Sequence, residues 1–204
     1  MSMSNYYIAD LHLFHSNVLK NGKFHEREFE TLDEMHNTII HNWNKVVKPD
    51  DTVYIVGDIS LKKDTSKAIE IISKLNGHKI LIKGNHDNTK NQNIKKLLDG
   101  IYDYLEITDE VKGKPITVVM CHYPLFSWKN QFRGAVHLYG HVHDNEDDRM
   151  YQRGLNVADR YFSERDKDEH CTFNAINVGC MLSYMNYTPR TLEELLDMKK
   201  TGRI

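Results

Sequence analysis

The stretch Tyr6-Tyr7-Ile8-Ala9-Asp10-Leu11-His12 joins a short, β-prone apolar run to two residues that commonly bind metal ions. The same arrangement recurs in Val53-Tyr54-Ile55-Val56-Gly57-Asp58 and in Lys79-Ile80-Leu81-Ile82-Lys83-Gly84-Asn85-His86-Asp87. In α/β sheets, loops that leave neighbouring strands converge on one crevice, and ligands bind there. Gly57 and Gly84 would let the backbone turn tightly and bring the next side chain close to an ion. The polar ends of these three predicted strands are therefore expected to form one site.

Two segments in the second half of the chain repeat this pattern. Val118-Val119-Met120 precedes Cys121-His122, and Val136-His137-Leu138-Tyr139 precedes Gly140-His141-Val142-His143. The five blocks together supply seven candidate metal ligands, which are Asp10, His12, Asp58, Asn85, His122, His141 and His143. A single Gly-Asp after a strand is usually only a turn. Five such blocks in this order, each at a strand end, indicate a metal site.

The ordered set resembles the calcineurin-like metallophosphoesterase superfamily, whose pattern runs DxH, GD, GNH(D/E), H and GHxH. The first block, extended to Asp10-Leu11-His12-Leu13-Phe14-His15, is similar to that of small bacterial and phage phosphoesterases. The resemblance implies an α/β fold in which two mixed β-sheets pack as a sandwich flanked by helices, with the metals at one edge. Periodicity alone supports only the α/β class.

The resemblance also implies a dinuclear centre with one shared carboxylate. One ion is assigned to Asp10, His12, Asp58 and His143, and the other to Asp58, Asn85, His122 and His141. Carboxylate, amide and imidazole ligands suit manganese, our first choice, and iron, nickel or zinc fit the same set. A pair of divalent ions lowers the pKa of a bridging water, and the resulting hydroxide attacks phosphorus.

The departing oxygen of the ester then needs a proton. His86 follows the ligand Asn85 and is the candidate general acid. Asp87 is expected to orient the His86 imidazole or to favour its protonated form. These two residues complete the predicted catalytic set.

Three further residues are candidates for the substrate side of the site. His15 and Asn17 follow the first block and are expected to project towards the substrate, although ordinary polar loop residues fit the same pattern. Arg27 is a candidate phosphate clamp, because guanidinium binds phosphate through two hydrogen bonds; a surface arginine is the alternative. The aromatic segment Tyr123 to Trp128 would either stack against a base or sugar, or close the core.

The predicted function is hydrolysis of a phosphomonoester or phosphodiester by a metal-dependent enzyme. The alternative is a binding or scaffold protein that keeps the fold without the chemistry. His86 and all seven ligands are present, which favours the enzyme. The expected substrate is a small or flexible phosphoester, with nucleotides and nucleic acid included. The sequence specifies neither the natural substrate nor the oligomeric state.

The 204 residues suit one domain spanning 1–204. With 27 basic and 29 acidic residues, the bulk charge gives no sign of a nucleic-acid or membrane partner. The chain has no apolar stretch of roughly 20 residues and no signal-peptide pattern, so a cytoplasmic location without membrane contact is expected. Its three cysteines lack CxxC spacing, which argues against a disulfide framework or a cysteine-bound zinc.

Helical spacing and capping residues predict helices after Thr31, after Asp64, through Ile94 to Leu98, and after Thr191. The charged segment 144–170 interrupts the strand pattern of the second half, and we interpret it as a solvated excursion. A lid over the site is the alternative. His137 alternates with apolar residues and is expected to be a packed strand histidine rather than a ligand.

Overall fold

The computed structural model describes residues 3–24, 26–165 and 173–204. Its strands form two four-stranded sheets. The first sheet contains β1 (Asn5–Ile8), β2 (Thr52–Ile55), β3 (His78–Ile82) and β4 (Gly100–Tyr102), which are parallel and in chain order. The second contains β5 (Tyr104–Val111), β6 (Lys114–Cys121), β7 (Val136–Tyr139) and β8 (Asn174–Asn177). Only the β5–β6 pair of this sheet is antiparallel, so the second sheet is mixed.

Five α-helices flank or connect these strands in the described part of the chain: α1 (Leu32–Val46), α2 (Thr65–Ile72), α3 (Gln92–Lys95), α4 (Glu146–Arg165) and α5 (Leu192–Lys200). The side chain of Thr31 accepts a hydrogen bond from the backbone N–H of Glu34 and so caps α1. Thr191 and Glu194 form a capping box at the start of α5. Both helix starts agree with the sequence prediction. The short strand β4 was not predicted.

The main core lies between the two sheets. Ile8 and Ile55 of the first sheet join Val118, Leu138 and Ile176 of the second in one buried cluster. Burial of this apolar surface is the main stabilising contribution that holds the layers together. The predicted sandwich of two sheets with flanking helices is confirmed, with the first sheet parallel throughout.

The prediction of a solvated excursion at 144–170 was wrong for most of that segment, which forms α4. Tyr151 and Leu155 lie one helical turn apart and pack on the outer face of the second sheet. The charged residues at its start suit a helix, because acidic side chains in the first turn interact favourably with the helix dipole. Two buried side chains among many charged ones were too weak a pattern to reveal it. Residues 166–170 lie outside the described residues.

None of the helices in the described part of the chain combines the length and hydropathy that a membrane crossing requires.

Candidate metal centre

All five blocks follow strands at the same edge of the sandwich. Asp10, Asp58 and Asn85 follow β1, β2 and β3, while His122 and His141 follow β6 and β7. Backbone hydrogen bonds connect the loops directly. The N–H of residue 10 donates to the carbonyl of residue 57 at 3.0 Å, and the N–H of residue 140 donates to that of residue 122 at 3.0 Å. The predicted convergence of the strand ends therefore occurs within each sheet.

Three of the candidate ligands form a first group. Nε2 of His12 lies 2.9 Å from Nε2 of His143. Nε2 of His143 lies 3.9 Å from Oδ1 of Asp10. The ligand atoms of these three residues all lie within 4.8 Å of one another, so one cation could contact all of them.

Three other candidates form a second group around an amide oxygen. Oδ1 of Asn85 lies 3.1 Å from Nε2 of His122 and 3.1 Å from Nδ1 of His141. The two imidazoles therefore direct different ring nitrogens at one point. The other ring nitrogen of His122 lies 2.9 Å from the carbonyl oxygen of Val56, which fixes the orientation of this ring.

Asp58 lies between the two groups. Its Oδ2 atom is 3.4 Å from Nε2 of His122 and 3.7 Å from Nε2 of His12. A carboxylate in this position can contact a cation in either group. These distances are compatible with a shared role for Asp58. The ligand atoms of Asp10, Asp58 and His122 also lie within 4.8 Å of one another, so Asp10 is close to both groups.

The backbone at the ligands is strained. Asp10 (φ 56°), His12 (φ 46°), Asp58 (φ 53°), His141 (φ 70°) and His143 (φ 48°) all adopt the left-handed region, which non-glycine residues rarely occupy. Such strain persists only where the surrounding structure imposes it, and it concentrates at functional sites. A Cβ at position 57 would overlap the His122 ring, and one at position 84 would overlap the Asp58 carboxylate. Glycine at these positions permits the close approach of the loops.

Charge in the centre favours cations. Burial raises the pKa of Asp58, but the hydrogen bond and charge of His122 and the charge of His12 outweigh it and lower the pKa to about 2. Burial lowers the pKa of His122, yet Asp58 and Asp10 raise it to about 9. The carboxylates therefore stabilise positive charge beside them. Buried oxygen and nitrogen donors in this field fit divalent manganese, iron, nickel or zinc.

His86 lies beside the first group. Its ring centroid is 5.6 Å from that of His12, and its backbone N–H donates to Oδ1 of Asp58 at 2.9 Å. The side chain is half-buried and so remains accessible from the solvent side. This position is compatible with the predicted general acid.

Asp87 does not pair with His86, and the predicted orienting role is corrected. Both of its carboxylate oxygens accept backbone hydrogen bonds, from the N–H groups of Asp58 at 2.9 Å, Ile59 at 2.9 Å and Gly84 at 2.8 Å. The turn after β3 directs this side chain beneath the loop, where amide donors need an acceptor. Asp87 therefore ties the second ligand loop to the third.

Arg27 is neither a phosphate clamp nor a surface arginine. The residue is 1 % exposed. Its guanidinium donates to the carbonyl oxygen of Leu11 at 2.8 Å and to that of Asp10 at 2.6 Å. A guanidinium already bonded to buried carbonyls is not available to a substrate, so the structure assigns Arg27 to support of the first ligand loop.

The other substrate candidates differ in position. The His15 ring lies 5.4 Å from that of His12, while Asn17 is exposed. Tyr123 is half-exposed and its ring lies 4.7 Å from that of His141, whereas Trp128 is buried in the core. Trp128 therefore closes the core, while stacking of a base or sugar on this segment stays a prediction.

His137 is a buried strand residue, as expected. It lies 3.0 Å from the backbone nitrogen of Leu125 through Nε2 and 3.1 Å from the carbonyl oxygen of Val119 through Nδ1. Both ring nitrogens are therefore engaged in hydrogen bonds to the backbone, and the ring does not join the metal ligands.

Glu26 is a residue of the centre that sequence reasoning missed. Its Oε2 atom lies 2.9 Å from Nδ1 of His143. The two residues are separated by 117 positions, and Glu26 belongs to none of the five blocks. No spacing or flanking pattern in the sequence marks it.

A two-sheet α/β sandwich with carboxylate, amide and imidazole groups converging at one edge defines a class of proteins built around a metal centre. Within that class, the chain belongs to the calcineurin-like phosphoesterase family, whose model matches residues 5–145. This match contains all five blocks. The resemblance drawn from the sequence is confirmed.

Relatives of this chain occur in an archaeon and in phages. An uncharacterized protein of Methanocaldococcus jannaschii is 29 % identical over 206 residues, which cover 100 % of this chain and 96 % of the relative. The gene 66 protein of Mycobacterium phage L5 is 27 % identical over 166 residues, or 69 % of this chain and 78 % of the relative. A protein of unknown function from Aquifex aeolicus has a crystal structure similar to this one, with a TM-score of 0.56, 27 % identity and complete coverage of both chains.

Proposed function

We propose that this protein hydrolyses phosphomonoesters or phosphodiesters with two divalent metal ions bound by the seven candidate ligands. The observation that carries the proposal is the position of Asp58 Oδ2 between the first and second ligand groups. Family membership supports the same reaction class. Manganese remains our first choice of metal, because the ligand types suit it.

Two bound ions would lower the pKa of a water molecule and stabilise negative charge on the phosphate oxygens. The chain itself holds the ligand side chains in place before substrate binds. Backbone amides contribute to this order: the N–H of His141 donates to Oδ2 of Asp10 at 3.1 Å, and that of His86 donates to Oδ1 of Asp58 at 2.9 Å. Fixed donors and ligands reduce the reorganisation needed in the transition state.

His86 is proposed to protonate the leaving oxygen. Its backbone is anchored to Asp58, while its ring stays half-buried beside His12. A proton donor in this position can serve an ester oxygen attached to phosphorus. Asp87 takes no direct part, because its oxygens are occupied by backbone amides.

His86→Ala tests this role. The variant should keep both metal ions and lose turnover on the order of 10²–10⁴-fold on alkyl phosphate esters, the usual scale for general acid catalysis. The loss should shrink for nitrophenyl esters, whose leaving groups need little protonation. His41→Ala is the matched control, because His41 is an exposed residue of α1. Equal losses for good and poor leaving groups would remove His86 from this role, and metal-loaded wild type without any esterase activity would favour the scaffold alternative.

Substrate discrimination is proposed to lie outside the metal ligands. A cleft of about 370 Å³ opens beside His143 and is lined by Phe24, Glu26, His143, Asp144, Asn145 and Met181. Asp144 and Asn145 are the first residues of the 144–170 segment, so its start borders the site even though α4 packs elsewhere. Phe24, Asp144 and Asn145, together with His15 and Asn17, are proposed to contact the organic part of a small or flexible phosphoester, a nucleotide or the end of a nucleic acid.

We further propose that residues 1–204 form one domain and that the protein acts in the cytoplasm. A panel of phosphomonoesters and phosphodiesters, assayed with manganese, is the experiment that identifies the substrate class.

A further inference from the structure

Glu26 is the carboxylate that contacts a candidate metal ligand from outside the five blocks. Its Oε2 atom is 2.9 Å from Nδ1 of His143. The side chains are partly withdrawn from solvent, with 28 % of Glu26 and 16 % of His143 exposed. Partial burial strengthens a charge-assisted hydrogen bond relative to one in open water.

This contact determines which nitrogen of His143 is available to a cation. A carboxylate accepts hydrogen bonds and cannot donate them while ionised, so Nδ1 must carry the proton that lies between the two residues. The neutral ring then has its lone pair on Nε2. That atom faces Nε2 of His12 at 2.9 Å, on the side of the first ligand group.

The other candidate histidine ligands are supported differently. Nδ1 of His122 lies against the carbonyl oxygen of Val56 at 2.9 Å. Nδ1 of His12 is buried without a hydrogen-bond partner among the described residues. His141 directs Nδ1 itself towards Asn85. Within the described part of the chain, His143 is thus the candidate ligand whose outward nitrogen is hydrogen-bonded to a carboxylate.

The adjacent residue keeps Glu26 in place. Arg27 is buried, and its guanidinium binds the carbonyl oxygens of Asp10 and Leu11. The backbone that carries Glu26 is thereby attached to the loop that carries two ligands of the first group. Because the support is already ordered, little conformational entropy is lost when the carboxylate engages His143.

We propose that Glu26 is a positioning residue for the first metal site, where it fixes the tautomer and orientation of His143. The inference rests on the metal centre of the proposed function and extends it to a residue outside the family motifs. Carboxylate partners of metal-binding histidines raise the basicity of the ligand and hold its ring in place. Glu26 acts through His143, and it is not itself one of the groups whose ligand atoms converge.

Manganese binding to purified protein, measured by calorimetry after chelator treatment, tests the proposal. Wild type should bind two ions per chain. In Glu26→Ala, the dissociation constant of one ion should rise about 10–100-fold, the usual loss when such a partner is removed, and the other should change by no more than a few-fold. Glu26→Gln should show a smaller loss, because the amide oxygen still accepts the hydrogen bond but has no charge. Glu28→Gln is the matched control, a loss of one exposed carboxylate in the same loop.

A second measurement needs no metal. At a pH high enough to keep the ring neutral, nitrogen-15 NMR of the histidine side chains should show His143 as the Nδ1–H tautomer in the wild type and a mixed population in Glu26→Ala. Unaltered affinities for both ions, or an unaltered tautomer, would overturn the inference. The proposed function fails separately, if wild type binds no ions or if the loaded protein hydrolyses none of the esters in the panel.

Discussion

The first and second ligand groups differ in how deeply the fold buries them. In the first group, Asp10 is 0 % and His12 2 % exposed. In the second, His122 is fully buried, but both Asn85 and His141 are exposed. His143 of the first group is itself partly exposed, at 16 % of its side chain, so the contrast is that of Asp10 and His12 with Asn85 and His141.

Different supports account for this contrast. The first loop is held from behind by Arg27 and by the thiol of Cys180, whose Sγ atom lies 3.1 Å from the carbonyl oxygen of Asp10. In the second group, the exposed ligands Asn85 and His141 contact each other, and the ring of Tyr123 lies near that of His141. The first group is thus supported from within the fold, whereas two ligands of the second lie at the surface.

The largest effect is expected from the residue that the two groups share. Asp58→Ala removes the carboxylate located between His12 and His122, so both ions should be lost or strongly weakened, and turnover should fall to the background rate. Metal analysis of protein prepared without chelator measures this directly. Asp50→Ala, an exposed aspartate in the turn before β2, should keep both ions. A variant at position 58 that retains two ions would contradict the shared role.

The next largest effect is a loss of folding stability when the side chain that supports the first ligand loop is removed. Arg27→Met removes the donors to the carbonyl oxygens of Asp10 and Leu11. The carbonyl oxygen of Leu11 then loses its partner, and that of Asp10 keeps only the weak thiol donor of Cys180. At about 1–3 kcal/mol for each buried acceptor, the free energy of unfolding should fall by roughly 2–6 kcal/mol, less whatever desolvation cost of the buried cation is relieved. Urea denaturation measures the change, with Arg133→Met as an exposed control. Stability equal to wild type would show that Arg27 does not brace the first loop.

The smallest effect is expected on the pH dependence of the free energy of unfolding, and it comes from a histidine outside the metal centre. His137 lies outside both ligand groups, and burial lowers its pKa from 6.5 to about 4. In the unfolded chain His137 becomes protonated below pH 6.5, whereas in the folded protein its buried ring stays neutral down to about pH 4. The free energy of unfolding should therefore be highest above pH 6.5 and should fall by about 3 kcal/mol in total as the pH drops towards 4. Denaturation of wild type and His137→Gln at pH 7 and pH 4.5 should show a steeper decline for wild type. Parallel declines would place the acid sensitivity elsewhere.

The order of the strands and the ligand types could be read from the chain. A β-prone run followed by a polar residue is a local pattern, as in Ile55-Val56-Gly57-Asp58. Such a pattern predicts the position of the polar side chain, because the strand itself places the residue that follows it. Helix starts such as Thr31 and Thr191 are local in the same sense. The helix α4 was missed because its apolar face is only a few residues among many charges.

The sequence by itself determined the family, the order of the five blocks and the chemistry of the seven candidate ligands, because these depend on residue type and near neighbours. Tertiary structure alone decided that Arg27 lies under the first loop, that Asp87 binds backbone amides and that Glu26 meets His143 across 117 positions. The physical reason is the same in each case. A long polar side chain bonds to whichever partner the packed loops bring within reach, and that partner is set by the fold rather than by spacing along the chain.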